Sequence, residues 1–238
     1  MLKNERLDKI LEILKEKKHC TINYLAGMLY VTPITIRRDI KILENMGLVS
    51  KCYGGVSIIT HSNREVPLIV REAYNNDVKT MIAKKASAII TKGSTIFLDA
   101  SSTASHIAAL LTPEQEVTVI TNSIKTLGML AERRIEAYGT GGRLLNNSMA
   151  FVGAKAEEMV MSMHADFMFF SSQGVTMDGV ITDFSEAETQ LRRIMMSRAD
   201  KRCFLFDSSK LGKTFLFRVC SVNDVDEVFC DKKTEFLS

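Results

Sequence analysis

The feature that most constrains this chain is the segment 32–46, TPITIRRDIKILENM. Thr32 suits a helix N-cap, because its hydroxyl can accept a hydrogen bond from a free amide of the first turn. Pro33 fits the first helical position, where its missing N–H costs nothing. Three apolar residues at helical spacing predict one buried stripe: Ile36, Ile40 and Leu43. The segment therefore predicts an amphipathic helix with a capped start.

The opposite face of this helix is cationic and polar. It carries Ile34, Arg37, Arg38, Lys41 and Asn45, with Thr32 and Thr35 at the helix start. Such a face suits a DNA major groove, where Arg and Asn can read base edges, Ile34 can touch a thymine methyl group and Lys41 can meet a phosphate. The alternative is an ordinary amphipathic helix whose basic face is solvated.

The flanking segments favour DNA binding over that alternative. Residues 5–18 and 22–29 have the apolar spacing of two further helices, and a short connection joins the second to the helix at 32–46. Two β-rich runs, 48–53 and 56–59, surround Gly54-Gly55 and predict a hairpin. Residues 1–57 are therefore interpreted as a winged helix-turn-helix domain, with Lys51 and Tyr53 on the wing. A helical packing module is the competing interpretation.

This stretch resembles the DNA-binding domain of DeoR-type bacterial regulators. The resemblance rests on Arg6, Ile10 and Leu14 at intervals of four, followed by the pattern Thr32-x-x-Thr35-Ile36-Arg37-Arg38-Asp39-Ile40-x-x-Leu43. The wing of that family ends in His-Gly-Gly, and here the corresponding residues are Tyr53-Gly54-Gly55.

Length and charge agree with a DNA-binding domain attached to a second domain. A chain of 238 residues suits two domains and can bury a core. The composition, 46% hydrophobic and 25% charged, is that of a globular protein. Residues 1–56 hold 10 Lys/Arg against 6 Asp/Glu, and the remainder holds 21 against 22. The positive excess therefore lies where DNA is predicted to bind.

The cysteines and histidines predict neither disulfides nor a metal site. Five cysteines are scattered without a C-x-x-C pair, which favours a reducing compartment, and the four histidines lack metal-ligand spacing. No cofactor is predicted. No run approaches the ~18 apolar residues of a membrane span, and no signal-peptide apolar region opens the chain. The sequence thus predicts a cytoplasmic protein without membrane contact.

Beyond a linker assigned to residues 58–75, predicted strands and helices alternate through residues 76–238. The predicted helices are 76–90, 106–111, 124–133, 148–163 and 186–198. The predicted strands are 94–99, 117–120, 135–138, 167–171, 202–206 and 228–230. This alternation predicts an α/β domain with a mostly parallel sheet and helices on both faces.

Polar clusters follow these strands, where the ligand crevice of such sheets lies. Hydroxyls, amides and glycines in strand–helix loops suit an anion, Lys210 can add a point charge, and Asp99 and Asn122 suit sugar hydroxyls. The alternative is turn chemistry alone, since these loops favour the same residues. The predicted effector residues are Asp99, Ser101, Ser102, Thr103, Asn122, Ser123, Gly141, Gly142, Gln173, Gly174 and Lys210.

The second half also resembles DeoR-type effector domains. Its matching motifs are Asp99-Ala100-Ser101-Ser102-Thr103, Thr121-Asn122-Ser123, Gly141-Gly142 and Asp207-Ser208-Ser209-Lys210. The resemblance implies the fold of ribose-5-phosphate isomerase and glucosamine-6-phosphate deaminase, and a phosphorylated sugar as effector. Ser101 stands where the family has glycine. Arg192, which the resemblance adds to the effector site, stands where a lysine is usual.

Three hypotheses of function remain at this point. The leading one is a transcriptional regulator, a repressor of sugar-metabolism genes, that binds double-stranded operator DNA as a homo-oligomer and responds to a phosphosugar. The second is a sugar-phosphate isomerase or deaminase, for which Asp99, Asp178 or Asp207 could serve as a base. The third is a DNA-binding protein whose second domain only forms oligomers. An enzyme has no use for the helix at 32–46, so no catalytic residues are predicted.

Overall fold

A computed structural model describes residues 3–45, 48–52, 54–58 and 66–233 of the chain. The chain forms two compact units, Met1–Val66 and Pro67–Ser238. The elements of the first unit are α1 Lys3–Lys17, β1 His19–Cys20, α2 Ile22–Met28, α3 Pro33–Asn45, β2 Val49–Cys52 and β3 Gly55–Ile58. The three helices and the hairpin predicted from the sequence are therefore present.

The first unit packs around the apolar stripes of its three helices. Ile36, Ile40 and Leu43 of α3 are buried, as their spacing predicts. Strand β1 was not predicted, and it pairs antiparallel with β3 to give a sheet of order β1-β3-β2. Gly55 permits this pairing, because a Cβ atom there would overlap the carbonyl oxygen of Cys20.

The second unit is built on a six-stranded sheet, which confirms the predicted α/β class. Its helices are α4 Leu68–Ala73, α5 Asn76–Ser87, α6 Ser105–Ala108, α7 Ile124–Glu132, α8 Ala154–Met161 and α9 Glu186–Ser197, with 3₁₀ turns at 113–115, 208–210 and 222–224. Its strands are β4 Thr95–Leu98, β5 Thr118–Thr121, β6 Glu136–Gly139, β7 Arg143–Leu145, β8 Ala150–Val152, β9 Ala165–Phe170, β10 Gly174–Val175, β11 Val180–Asp183, β12 Ala199–Phe206, β13 Phe217–Ser221 and β14 Glu227–Cys230.

The large sheet has the order β14-β12-β9-β4-β5-β6, and every neighbouring pair is parallel. Alternate residues of β9 enter two cores: Phe167 and Phe169 pack with α5, α6 and α7, whereas Met168 and Phe170 pack with α8 and α9. Because both faces are covered, the strands are apolar runs rather than alternating ones.

The helix predicted over 148–163 is wrong in its first half. Residues 150–152 form β8, which pairs antiparallel with β7, and α8 begins at Ala154. Ala150 and Val152 are buried while Phe151 is half-buried, which is the period of a strand. Gly153 separates strand from helix at φ +89°, a backbone conformation that favours glycine. A short apolar run leaves helix and strand hard to distinguish by periodicity.

A second sheet and helix α4 were also not predicted from the sequence. Strands β10, β11 and β13 form an antiparallel sheet of order β10-β11-β13 that packs on the core beside α9. Helix α4 lies in the segment assigned to a linker, and its first residue, Leu68, is buried in the second unit. Residues 59–65 of that segment lie outside the described residues.

Strand order locates the place where a ligand crevice is expected. From β4 the chain proceeds outward to β5 and β6, then returns to the other side for β9, β12 and β14. The order therefore reverses between β4 and β9, and the loops that follow these two strands diverge there. Ligands of open parallel sheets bind at such a point.

Candidate functional site

Helix α3 begins at the cap that its sequence predicts. The Thr32 hydroxyl accepts a hydrogen bond from the backbone N–H of Thr35 at 3.2 Å, and the two hydroxyls lie 3.0 Å apart. The Thr32 carbonyl accepts the first helical bond, from Ile36, at 3.1 Å. Both threonines, which were predicted to face DNA, thus have a structural role as well.

The predicted DNA-facing surface of α3 is open. Arg37, Arg38 and Lys41 are exposed, and Ile34 is 67% exposed although it is apolar. Within the described ranges, no hydrogen bond or ion pair holds the charged groups of these three cations. The side chain of Asn45 and all of Tyr53 lie outside the described residues. This surface can therefore meet a polyanion without first breaking internal pairs.

An ion pair between buried Asp39 and half-buried Arg6 holds the other side of α3 against α1. Asp39 accepts hydrogen bonds from Arg6 Nε at 2.5 Å and from Arg6 Nη2 at 3.1 Å. Asp39 is buried, and its hydrogen bond raises the pKa of Arg6. The sequence pattern contained both residues without indicating their contact. The pair fixes the rotation of α3, because a two-pronged bond restricts both side chains.

The wing residue Lys51 is paired within the first unit. Its ammonium group donates to the carboxylate of Glu44 on α3, and its backbone N–H contacts the same carboxylate at 3.4 Å. The hydrogen bond from Lys51 lowers the pKa of Glu44. A phosphate contact by Lys51 would therefore replace an existing, solvent-exposed pair.

In the second unit, Asp99 organises the loop that follows β4. Its Oδ1 accepts the backbone N–H of Ser101 at 3.1 Å, and its Oδ2 accepts that of Ser171, after β9, at 3.2 Å. The Ser101 hydroxyl in turn accepts the N–H of Ala104 at 3.1 Å. The Thr103 hydroxyl is buried without a hydrogen-bond partner among the described residues. The loop at the β4–β9 reversal therefore keeps one polar group unused.

Arg192 lies beneath this loop between two carboxylates. Its Nε donates to Asp99 Oδ2 at 3.0 Å and its Nη1 to Asp183 Oδ2 at 3.1 Å, and all three residues are buried. Burial alone would lower the pKa of Arg192, but Asp183 and Asp99 outweigh it and raise the pKa above its usual value. This guanidinium group is thus engaged with the two aspartates, and its contacts suit positioning of Asp99.

Lys210 joins the loop after β12 to the loop after β9. Its ammonium group donates to the Ser171 hydroxyl at 2.7 Å, and that hydroxyl donates to the carbonyl of Leu205 at 2.5 Å. Burial lowers the pKa of Lys210, although nearby Asp207 raises it in part. Asp207 accepts hydrogen bonds from Asn75 at 3.0 Å and from Ser209. Burial raises the pKa of Asp207, but Lys210 and these bonds outweigh it and lower the pKa overall.

Lys79 is a charged residue of this region that the sequence interpretation missed, as it also missed Asp183. Lys79 is 2% exposed and donates to the carbonyls of Tyr74, at 2.7 Å, and Arg71 at the end of α4. Burial, assisted by the charge of Lys210, lowers its pKa to about 7. The available signal was its place on the apolar stripe of α5, three residues before Ile82.

The remaining predicted effector residues extend the same edge of the sheet. Asn122 and Ser123 follow β5: Asn122 Nδ2 donates to the Phe151 carbonyl at 3.2 Å, and the Ser123 hydroxyl caps α7 through Thr126 N–H at 3.1 Å. The Asn122 Oδ1 atom is buried without a partner among the described residues. Gly141 and Gly142 follow β6, Ser102 and Gln173 belong to the loops after β4 and β9, and Gly174 is the first residue of β10.

The contacts thus connect the loops after β4, β9 and β12, together with α5 and α9. We call the charged residues that take part in these contacts the rim cluster: Asp99, Asp183, Arg192, Lys79, Asp207 and Lys210. No described hydrogen bond connects Asn122 or Gly141-Gly142 to it. In the described part of the chain, no group of three or more His, Cys, Asp or Glu side chains is placed to hold a metal ion.

Together the two units define a DNA-binding regulator that carries a sensor domain. The family model of the DeoR-like helix-turn-helix domain matches residues 6–62, and that of the DeoR C terminal sensor domain matches residues 74–232. The chain belongs to the DeoR family of transcriptional regulators.

Relatives agree with this assignment. The HTH-type transcriptional regulator YulB of Bacillus subtilis is 34% identical over 232 residues, 97% of this chain and 90% of that protein. The lactose phosphotransferase system repressor of Staphylococcus aureus is 31% identical over 240 residues, 99% of this chain and 94% of that protein. A ribose 5-phosphate isomerase A from Methanocaldococcus jannaschii matches 58% of this chain and 55% of its own, at 20% identity and TM-score 0.44. Among the described helices, none has both the length and the apolar character to span a membrane.

Proposed function

We propose that this regulator represses genes of sugar or sugar-derivative metabolism in the cytoplasm, and that a phosphorylated sugar held at the rim cluster changes its affinity for operator DNA. The observation that carries the effector part is the grouping of buried Lys79 and half-buried Lys210 with buried carboxylates where the strand order reverses. Two partly desolvated ammonium groups suit a compact anion such as a phosphate, and the carboxylates can accept hydrogen bonds from sugar hydroxyls.

Operator binding is assigned to α3 and the wing. Arg37, Arg38 and Asn45 would read base edges, Ile34 would contact a thymine methyl group, and Lys41, Lys51 and Tyr53 would meet phosphates, with Thr32 and Thr35 at the helix start. The exposure of the cations supports this assignment. Because helix-turn-helix proteins commonly bind paired half-sites, a homo-oligomer is part of the proposal.

Effector binding is assigned by chemistry. Lys210 and Lys79 would meet the phosphate beside the hydroxyls of Ser101, Ser102 and Thr103. Asp99 and Asn122 would accept or donate hydrogen bonds at the sugar hydroxyls, and Arg192 would hold Asp99 in place. The other predicted residues, Ser123, Gly141, Gly142, Gln173 and Gly174, would line the same edge.

The name of the Staphylococcus aureus relative, a lactose phosphotransferase system repressor, supports a sugar-derived effector for this chain too. Such an effector acts only through different affinities for two states of the protein. A coupling of about 1–3 kcal/mol would change operator affinity about five- to 150-fold.

The bonding of the aspartates disfavours an enzyme. A general base needs a free carboxylate near the substrate with a pKa suited to proton transfer. Asp99 is bonded to Arg192 and two backbone amides, and the pKa of Asp207 is lowered. Asp178 is exposed, and a hydrogen bond from Thr176 lowers its pKa.

A titration with Lys210→Ala tests the proposal. The full chain would be bound to a duplex selected from a random-sequence library, and a panel of phosphorylated and free sugars added while anisotropy is followed. We expect a phosphosugar to change operator affinity of the wild type, and Lys210→Ala to keep basal affinity but lose the response. The exposed Lys155→Ala should behave as wild type. A full response in Lys210→Ala would exclude Lys210 from the site. If no sugar phosphate alters affinity, the second unit has another role, such as oligomerisation.

A further inference from the structure

Tyr30 has a conformation and an exposure that the folded first unit does not explain. It lies between α2 and α3, and its side chain is 96% exposed. Its φ angle is +53°, in the left-handed region that is unfavourable for L-residues other than glycine. A glycine would satisfy this turn at lower conformational cost. The tyrosine side chain therefore adds neither packing nor a preferred backbone conformation to the fold.

The position of Tyr30 connects it with the predicted DNA-facing surface. Tyr30 lies two residues before Thr32, whose hydroxyl caps α3. The first turn of that helix carries Ile34, which is also largely exposed. In a helix-turn-helix the N-terminal residues of the second helix contact the bases, so the turn before that helix lies near the DNA backbones that border the major groove.

The charge of this surface suits nucleic acid. Residues 17–38 contain no Asp or Glu, and their charged residues are Lys17, Lys18, Arg37 and Arg38. The nearest acidic residue after the turn is Asp39, which is buried against Arg6. The two carboxylates of α3, Asp39 and Glu44, are paired with Arg6 and Lys51, so neither is an unpaired negative charge on this helix.

We propose that Tyr30 is an operator-binding residue whose phenolic hydroxyl donates a hydrogen bond to a backbone phosphate beside the groove that α3 enters. Tyrosine hydroxyls are among the common donors to DNA phosphates. The side chain has few rotatable bonds, so ordering it on DNA costs little entropy. This assignment rests on the proposed DNA-binding role of α3.

The test uses two variants of the full chain and the selected operator duplex. Tyr30→Phe removes only the hydroxyl, and we expect operator affinity to fall about tenfold, as for the loss of a hydrogen bond to a charged group. Tyr30→Gly removes the ring as well, so its affinity should fall further. Its midpoint of thermal unfolding should be unchanged or higher, because glycine relieves the backbone. Tyr138→Phe, an exposed tyrosine of the second unit, is the matched control and should bind as wild type.

Salt dependence separates this contact from that of a cation. Because tyrosine is neutral, the slope of log affinity against log salt should be the same for Tyr30→Phe and the wild type, whereas loss of a phosphate-binding lysine lowers it. Wild-type affinity in both Tyr30 variants would overturn the inference. A lower unfolding midpoint in Tyr30→Gly would assign Tyr30 to folding. A changed oligomeric state, with unchanged DNA affinity per oligomer, would assign Tyr30 to a contact with a second copy of the chain.

Arg38→Ala distinguishes failure of this inference from failure of the proposed function. If Arg38→Ala weakens operator binding and the Tyr30 variants do not, the inference about Tyr30 is wrong and α3 still binds DNA. If neither position matters, the proposed DNA-facing surface of α3 is wrong as well.

Discussion

The two units use charged residues in opposite ways. On α3 of the first unit, Arg37, Arg38 and Lys41 are exposed and make no ion pair with another described residue. In the rim cluster of the second unit, Asp99, Asp183 and Arg192 are buried and bonded to one another. Exposed cations suit a long polyanion such as DNA, because their binding releases the counterions condensed on it. Buried and oriented charges suit a small ligand of defined shape. The exposed cations are therefore available to DNA, whereas Arg192 holds Asp99 in the position where it can meet a ligand.

Arg6 and Asp39 show that the first unit also contains a charge pair in which the carboxylate is buried. Their bonds lie on the side of α3 that faces α1. The same helix therefore carries cations for DNA on one face and a carboxylate for folding on the other. The pattern Arg37-Arg38-Asp39 places these opposite roles on consecutive residues.

The largest expected effect is on folding of the second unit. Arg192→Met would leave the carboxylates of Asp99 and Asp183 buried without their cation, and we expect the free energy of unfolding to fall by roughly 3–5 kcal/mol. Urea denaturation of the full chain, followed by a probe in the second unit, measures the change. The neighbouring Arg193→Met is the control, because Arg193 is exposed and, among the described residues, its guanidinium group bonds backbone carbonyls and no carboxylate. An unchanged midpoint for Arg192→Met would contradict the comparison of buried with exposed charges.

The next effect is on DNA alone. Arg37→Ala and Arg38→Ala should each weaken operator binding by about 1–3 kcal/mol if the guanidinium groups contact base edges. Neither should alter the unfolding midpoint, because both side chains are exposed without described partners. Anisotropy titrations with the selected duplex, and with a duplex changed at single base pairs, measure the loss. Equal loss on every duplex would assign these arginines to phosphates instead.

Much of the fold could be predicted from residue spacing. The stripe on α3 shows helical periodicity, and the apolar runs of β4, β5, β9 and β12, each followed by a polar loop, are typical of buried parallel strands. β10 has two residues and β7 and β8 have three, fewer than the roughly four to eight residues over which alternation indicates a strand. Their pairing depends on residues distant in sequence, and spacing does not report it.

The candidate site was less predictable, because its contacts span the chain. Arg192 meets Asp99 across 93 residues, and Asn75 meets Asp207 across 132. The sequence indicated the strand-end loops through their residue types, but not that Arg192 would be engaged by Asp183. Lys79 was missed because a lysine on a helix is ordinarily exposed. Its place on an apolar stripe was the only local sign.

A smaller effect is expected in the pH dependence of effector binding. Lys79 has an ordinary pKa of 10.5, which burial lowers to about 7. An anion bound beside it would favour the charged form and raise its pKa, so binding takes up a proton. Effector affinity should therefore decrease as pH rises above about 7, by at most about tenfold per pH unit. Competition titrations of the operator complex at several pH values measure this.

The control for the pH experiment uses two substitutions at one position. Lys79→Met has no titratable group there, and Lys79→Arg stays charged, so both should lack the decrease above pH 7. Without effector, the wild-type free energy of unfolding should increase as the pH rises from about 7, the folded pKa of Lys79, to its ordinary pKa of 10.5. In this range the unfolded chain keeps the proton on Lys79 and the folded chain has lost it. Lys79→Met should lack that increase. The same pH profile in all three proteins would exclude Lys79.

The smallest effect compares two exposed lysines of the first unit. Lys41 makes no hydrogen bond or ion pair with a described residue, whereas Lys51 is paired with Glu44. If both meet phosphates, Lys41→Ala and Lys51→Ala should each reduce the salt slope of operator binding by about 1. At fixed salt, Lys51→Ala should cost less affinity, because the wild-type lysine first gives up its pair with Glu44. The variant Glu44→Gln removes that competition and should strengthen operator binding slightly. Equal losses for both lysines, with no gain in Glu44→Gln, would mean that the pair with Glu44 does not restrain the wing.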